Sequence, residues 1–180
     1  MSKYEVKNVK YHRGHEGEPL AECALYRDGV KVAIFSEGDW GGEANFWWVD
    51  KDAPRVEVKG VNFSGKPLSY QGTPEEALLM AHCAAIPPTD SKYIKGEKNY
   101  TTPDIFVSDL AADYDNNKRF AKICKTQTMF RVIGQPKGEY KVLKAPFSQQ
   151  AKEWIANKYG SQVEEIYNEK IGQVAVLSFR

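Results

Sequence analysis

The chain has 180 residues, enough for one hydrophobic core and short for two complete ones, so a single domain over residues 1–180 is the expectation. Lys and Arg number 25 against 24 Asp and Glu, a formal charge of +1, and 42% of residues are hydrophobic; this balance excludes wholesale disorder and a uniformly basic nucleic-acid coat. The neutrality is an average, because residues 115–147 carry 8 basic and 2 acidic side chains whereas residues 73–114 carry 3 and 7.

Tyr4, Val6, Val9 and Tyr11 recur near period two, with a slip between Val6 and Val9 that a bulge would absorb, so the chain opens as a strand. Residues 20–26 and 30–35 read as strands joined by Arg27-Asp28-Gly29, in which Asp-Gly supplies the positive φ of a tight hairpin turn. Residues 46–49 make a short aromatic strand, and residues 55–61 alternate Val56 and Val58 with charged neighbours. Thr73-Pro74-Glu75-Glu76 opens a helix, with Thr73 and Glu76 as a capping box, that Pro87-Pro88 stops. Residues 89–100 read as a polar connection, and a second helix begins at Thr102-Pro103-Asp104, with residues 113–117 expected to interrupt it before Phe120, Ile123 and Cys124. Strands at 128–133 and 139–143 flank turn residues 134–138, giving a second hairpin. Ser148 caps a helix that Gly160 ends, residues 162–169 read as a last short helix, and residues 174–177 form an apolar tail. The fold class expected is α+β, with an N-terminal antiparallel meander, central and C-terminal helices and a second small hairpin.

No apolar run approaches the about 18 residues that a membrane span needs, and Met1-Ser2-Lys3-Tyr4-Glu5 lacks an apolar leader, so a cytoplasmic protein with no membrane partner is expected. The three cysteines, Cys23, Cys83 and Cys124, are odd in number and far apart, which suits reduced, buried thiols better than a disulfide framework.

Two stretches carry a resemblance. One is Val9-Lys10-Tyr11-His12-Arg13-Gly14-His15-Glu16-Gly17 with Leu25-Tyr26-Arg27-Asp28-Gly29-Val30-Lys31-Val32-Ala33 and Asp39-Trp40-Gly41-Gly42; the other is Thr126-Gln127-Thr128-Met129-Phe130-Arg131-Val132 with Gly138-Glu139-Tyr140, Lys144-Ala145-Pro146-Phe147-Ser148 and Lys158-Tyr159-Gly160. The chain resembles a group of small uncharacterised proteins carried by bacteriophages and bacterial mobile elements, a group with no established activity. Its glycine turn departs from the group's Asn-Asp-Gly-x-Gly-Gly, reading Ser36-Glu37-Gly38-Asp39-Trp40-Gly41-Gly42 here. The resemblance implies a bacterial host cell and no catalytic residues.

Three surfaces invite chemistry. Trp40, Phe46, Trp47 and Trp48 fall within nine residues, and on a strand Trp47 and Trp48 point to opposite faces. Either helices cover both faces and the pair is core, or one ring is exposed as an interaction anchor. Asp39, with Glu37, Glu43, Asp50 and Asp52, surrounds these rings with negative charge, which would favour a basic partner. The second surface is Lys118, Lys122 and Lys125 at helical spacing with Arg119 alongside and Arg131 on the strand after it, either a solvated face or an anion site for nucleic acid or a nucleotide. Third, His12 and His15 with Glu16, Glu18 or Cys23 could supply mixed zinc ligands to a small hydrolase, although no CxxC or HExxH accompanies them. His82 and Cys83 are adjacent on a helix and diverge, which makes a poor base and nucleophile pair.

The expected function is a non-catalytic phage or mobile-element accessory protein, needing no cofactor or metal, that binds a protein partner and inhibits a bacterial host defence factor. The alternatives are a nucleic-acid or nucleotide binder and a metal-dependent hydrolase.

Overall fold

Asp28 and Gly29 both adopt left-handed backbone, with φ of 51° and 83°, and between them turn β2 (Pro19–Arg27) back onto β3 (Val30–Ser36). A computed structural model describes residues 2–39, 42–136 and 138–171 in this way; Trp40, Gly41, Lys137 and the expected apolar tail 174–177 lie outside the described residues. The contacts group into two compact units, Met1–Tyr114 and Asp115–Arg180.

In the first unit β1 (Tyr4–Arg13) runs antiparallel to β2, and β4 (Asn45–Trp48) closes an antiparallel meander of order β1-β2-β3-β4. The slip expected in β1 falls between Lys7 and Lys10, where Asn8 takes a φ of 56°. It keeps the apolar residues on either side of the bulge available to one face. That face buries Tyr4, Val6, Cys23, Leu25, Ala33 and Phe35.

Against it pack α1 (Pro74–Ala84), through Leu79 and Cys83, and α2 (Pro103–Cys124), through Val107 and Ala111. Leu79 and Val107, both fully buried, each contribute about 1.5–3 kcal/mol by leaving water. Thr73 forms the capping box with Glu76 that the sequence announces, and Pro74 occupies the first helical turn. Arg27 at the end of β2 grips Glu75 with two hydrogen bonds, Nε–Oε2 at 2.8 Å and Nη2–Oε1 at 2.5 Å, so the helix start is also tied to the hairpin.

Two hairpins were not legible as such. β5 (Val56–Val61) pairs with β6 (Pro67–Gly72), and β7 (Thr89–Asp90) with β8 (Lys98–Asn99) inside the expected polar connection. Gly60 of β5 lies where any Cβ would strike the Met80 thioether of α1, so the strand and helix approach closely there.

The expected break at residues 113–117 does not occur, for α2 is continuous over 22 residues. Asp and Asn are weak helix formers but lack the backbone liabilities of Gly or Pro, and the run is solvated while Phe120 is buried just after it. In the second unit β9 (Thr128–Val132) is central, with β10 (Lys141–Leu143) on one side and β11 (Val163–Ile166) on the other, both antiparallel. Helix α3 (Gln149–Tyr159), capped by Ser148 and ended by Gly160 at a φ of 53°, buries Ile155 with Phe130 and Val132. The helix expected at 162–169 is corrected: its first half is β11, and helix resumes at 167–171. A register slip between Val163 and Glu165 lets Val163 and Ile166 pack on the same cluster, so a three-residue spacing that imitates a helix belongs to a bulged strand.

Candidate functional site

Strand β4 sorts its aromatics by the alternation of the pleat. Trp47 stands opposite Ile34 of β3, on the face away from the helices, and is 51% exposed; Ile34 is 37% exposed. Ile34 in turn faces Ala24 of β2, which faces Lys7 of β1, so one row crosses the whole sheet. Lys7 lies over the Tyr26 ring at 4.4 Å from its centroid. Val49, just past the strand, adds a further exposed apolar side chain, and Asp50 and Asp52 follow with Lys51 between them, all exposed.

Phe46 and Trp48 take the opposite face. Phe46 leans on buried Phe35 at 5.1 Å between ring centroids and stacks on Trp48 at 5.4 Å, the two planes only 9° apart. Together they form a flat wall of a cleft of about 650 Å³, completed by Phe63 and Tyr70 from the β5–β6 hairpin and by the start of α2. The structure therefore divides the candidate set: Trp47 belongs to the open sheet face and Phe46 and Trp48 to the cleft, while Trp40 lies outside the described residues. The acids divide as well. Glu37 accepts the Ala21 backbone N–H at 2.6 Å and Asp39 accepts that of His15 at 3.0 Å, whereas Glu43 lines the cleft. Leu68 and Tyr70 carried no functional signal because β6, with Pro, Ser and Gly in six residues, has weak strand character, and Phe63 lies in the turn before it.

The histidine set does not assemble. The His12 Nε2 lies 3.3 Å from Glu22 Oε2 on the exposed sheet face, while Cys23 is 2% exposed within the core. Among the described residues no three His, Cys, Asp or Glu side chains converge as metal ligands. Burial pushes the Cys23 and Cys83 thiols up from 9.0 to about 12, leaving neither as a thiolate nucleophile near neutrality. His82 packs edge-on to Tyr4 at 4.8 Å and tilted against Phe106 at 5.0 Å, and burial lowers its pKa, so it serves as a neutral ring between aromatics.

Lys118, Arg119 and Lys122 are exposed on α2, and Lys125 is exposed just beyond it. Arg131 does not join them as an open cation. Its Nη2 meets Glu164 Oε1 at 2.7 Å and its Nε lies 3.5 Å from Glu165, which neutralises it within the sheet. Acids of the 73–114 segment also find partners nearby, Glu75 with Arg27 and Asp90 with Lys98 at 2.6 Å.

No helix among the described residues is long and apolar enough to cross a membrane. Compared with protein-family models, curated proteins and solved structures, the chain matches none.

Proposed function

We propose that this chain is a non-catalytic binding protein that captures a protein partner on the helix-free face of its four-stranded sheet. The observation that supports the reading is Trp47, 51% exposed and aligned with half-exposed Ile34. A large ring standing on a rigid strand loses little side-chain entropy on binding and gains a large contact area, the profile of an interface anchor. Asp50 and Asp52, against one lysine, border it, so the partner's matching surface is basic. The resemblance of segments within residues 9–42 and 126–160 to phage and mobile-element proteins supports a bacterial host protein as the target, a defence factor in the host cytoplasm that is inhibited by occupancy of the surface it presents.

The test is affinity capture from bacterial lysate with wild-type chain and Trp47→Ala side by side, followed by affinity measurement on the purified captured protein. The expected result is one basic-surfaced protein whose binding weakens at least about 30-fold in Trp47→Ala, the loss typical of an anchor residue, while the unfolding midpoint holds. Equal affinity for wild type and variant overturns the reading.

A second reading is anion binding along α2, supported by the exposure of Lys118, Arg119, Lys122 and Lys125. It requires retention on heparin or DNA that falls steeply with salt, and passage without retention at low salt removes it.

A further inference from the structure

The cleft behind β4 has walls that packing alone does not account for. Four aromatic rings, Phe46, Trp48, Phe63 and Tyr70, share about 650 Å³ with three carboxylates, Glu43, Glu76 and Asp104, and among the described residues no Lys, Arg or His lines it. That volume suits a small ligand or a single long side chain. Phe63 and Tyr70 remain 50% and 40% exposed, so aromatic surface is offered rather than consumed by the core. The Tyr70 hydroxyl donates to Glu76 Oε1 at 2.9 Å, and Glu76 Oε2 accepts the Thr73 backbone N–H at 3.3 Å, which fixes one ring and one carboxylate in place.

Three ligand chemistries can be weighed against these walls. An anion meets carboxylates with no counter-charge. A neutral apolar ligand would strip water from those carboxylates without replacing it. A bare metal ion finds no three-donor set among the described residues and no use for four rings. A cation with an apolar shell satisfies both parts: its methyl or methylene groups lie on the electron-rich faces of the rings while its charge answers the carboxylates. The field inside has the required sign because Glu43, Glu76 and Asp104 line the cleft, and the charges of Glu76 and Glu43 add to the burial that raises the Tyr70 phenol.

We propose that this cleft binds an alkylammonium group, either a free quaternary amine or the ammonium of a lysine-type side chain on a polypeptide. Phe46 and Trp48 form the π wall, Phe63 and Tyr70 the rim, and Glu43 and Asp104 the counter-charge. The site is separate from the sheet face carrying Trp47, so the two proposals stand or fall independently.

The test follows the Trp48 indole N–H resonance of labelled full-length chain during titration with choline, with its neutral carbon isostere 3,3-dimethylbutan-1-ol, and with Nα-acetyl-lysine methylamide. The expected result is a saturable shift from at least one ammonium, with the isostere weaker by about fivefold or more. The double variant Glu43→Gln, Asp104→Asn, checked for an unchanged unfolding midpoint, weakens the ammonium by about fivefold or more, whereas Trp47→Ala leaves it unchanged. Binding of choline alone assigns the site to a free quaternary amine, and binding of the lysine derivative alone to a polypeptide side chain. No saturable shift from either ammonium, equal binding of the isostere, or undiminished binding in the double variant overturns the proposal.

Discussion

Raising the pH through the thiol range should unfold the first unit along a predictable course. Cys23 and Cys83 are 2% and 1% exposed in the core between the meander and α1, and burial raises both thiols from 9.0 to about 12. In the unfolded chain they release their protons near pH 9, whereas in the fold they hold them to about pH 12. The unfolded state therefore sheds protons first, and stability that is complete below pH 9 declines as the pH rises through this window. Each thiol withdraws about 1.4 kcal/mol per pH unit, so the pair removes about 3 kcal/mol one unit above its ordinary value, a large part of the about 5–15 kcal/mol a domain possesses. Tyr4, raised by burial from 10.0 to about 12, joins one unit later.

Urea unfolding under a reductant, repeated from about pH 8 to about pH 11, measures the decline. The double variant Cys23→Ala, Cys83→Ala begins less stable because of its cavities, but its pH slope is flatter, and lysine titration common to both proteins cancels in the comparison. Parallel declines in the two proteins would refute the reasoning, as would the absorbance of more than one thiolate in the folded wild type near pH 9, Cys124 being the less buried third thiol.

Other expectations rest on single groups. The Tyr4 hydroxyl is buried with no hydrogen-bond partner among the described residues, so Tyr4→Phe stabilises the chain by about 1 kcal/mol, read as a raised melting temperature; a lowered one contradicts this. Asn168 accepts the Met129 N–H at 2.8 Å and donates to Gln127 O at 3.0 Å and Cys124 O at 3.3 Å, so Asn168→Ala costs about 2–3 kcal/mol in denaturant unfolding, and a loss below about 0.5 kcal/mol sinks the argument. Thr73→Ala removes the cap of α1 and costs about 1 kcal/mol in thermal unfolding, while Thr73→Ser restores it; identical melting of both variants would refute the cap's role.

The sequence revealed structure where one residue type has one geometric use. Asp28-Gly29 announces a turn because few other pairs accept left-handed backbone, and Thr73-Pro74 with Glu76 announces a helix start because each satisfies or avoids an orphan backbone donor. It misled where a bulge changed the period, as at Val163 and Ile166, and was silent where a strand is held by its partner rather than by its own residues, as in β6. The candidate site was half visible. Consecutive tryptophans had to diverge on a strand, but only the fold shows that helices cover one face, and only the fold brings Phe63, Tyr70 and Asp104 to the Trp48 side. Those residues are distant in the chain and carry no shared motif.

β4 ends its sheet after four residues. A border strand with aromatic residues on both faces is a ready template for another copy of the chain, and brevity is one of the ways such templates are blunted. In four residues only about two turn their N–H and C=O outward, offering an incoming strand about four main-chain bonds, too few to hold it by backbone alone. Binding of a partner as proposed above then passes through side chains, which discriminate between partners, and lengthening this strand by insertion would favour fibrous self-association.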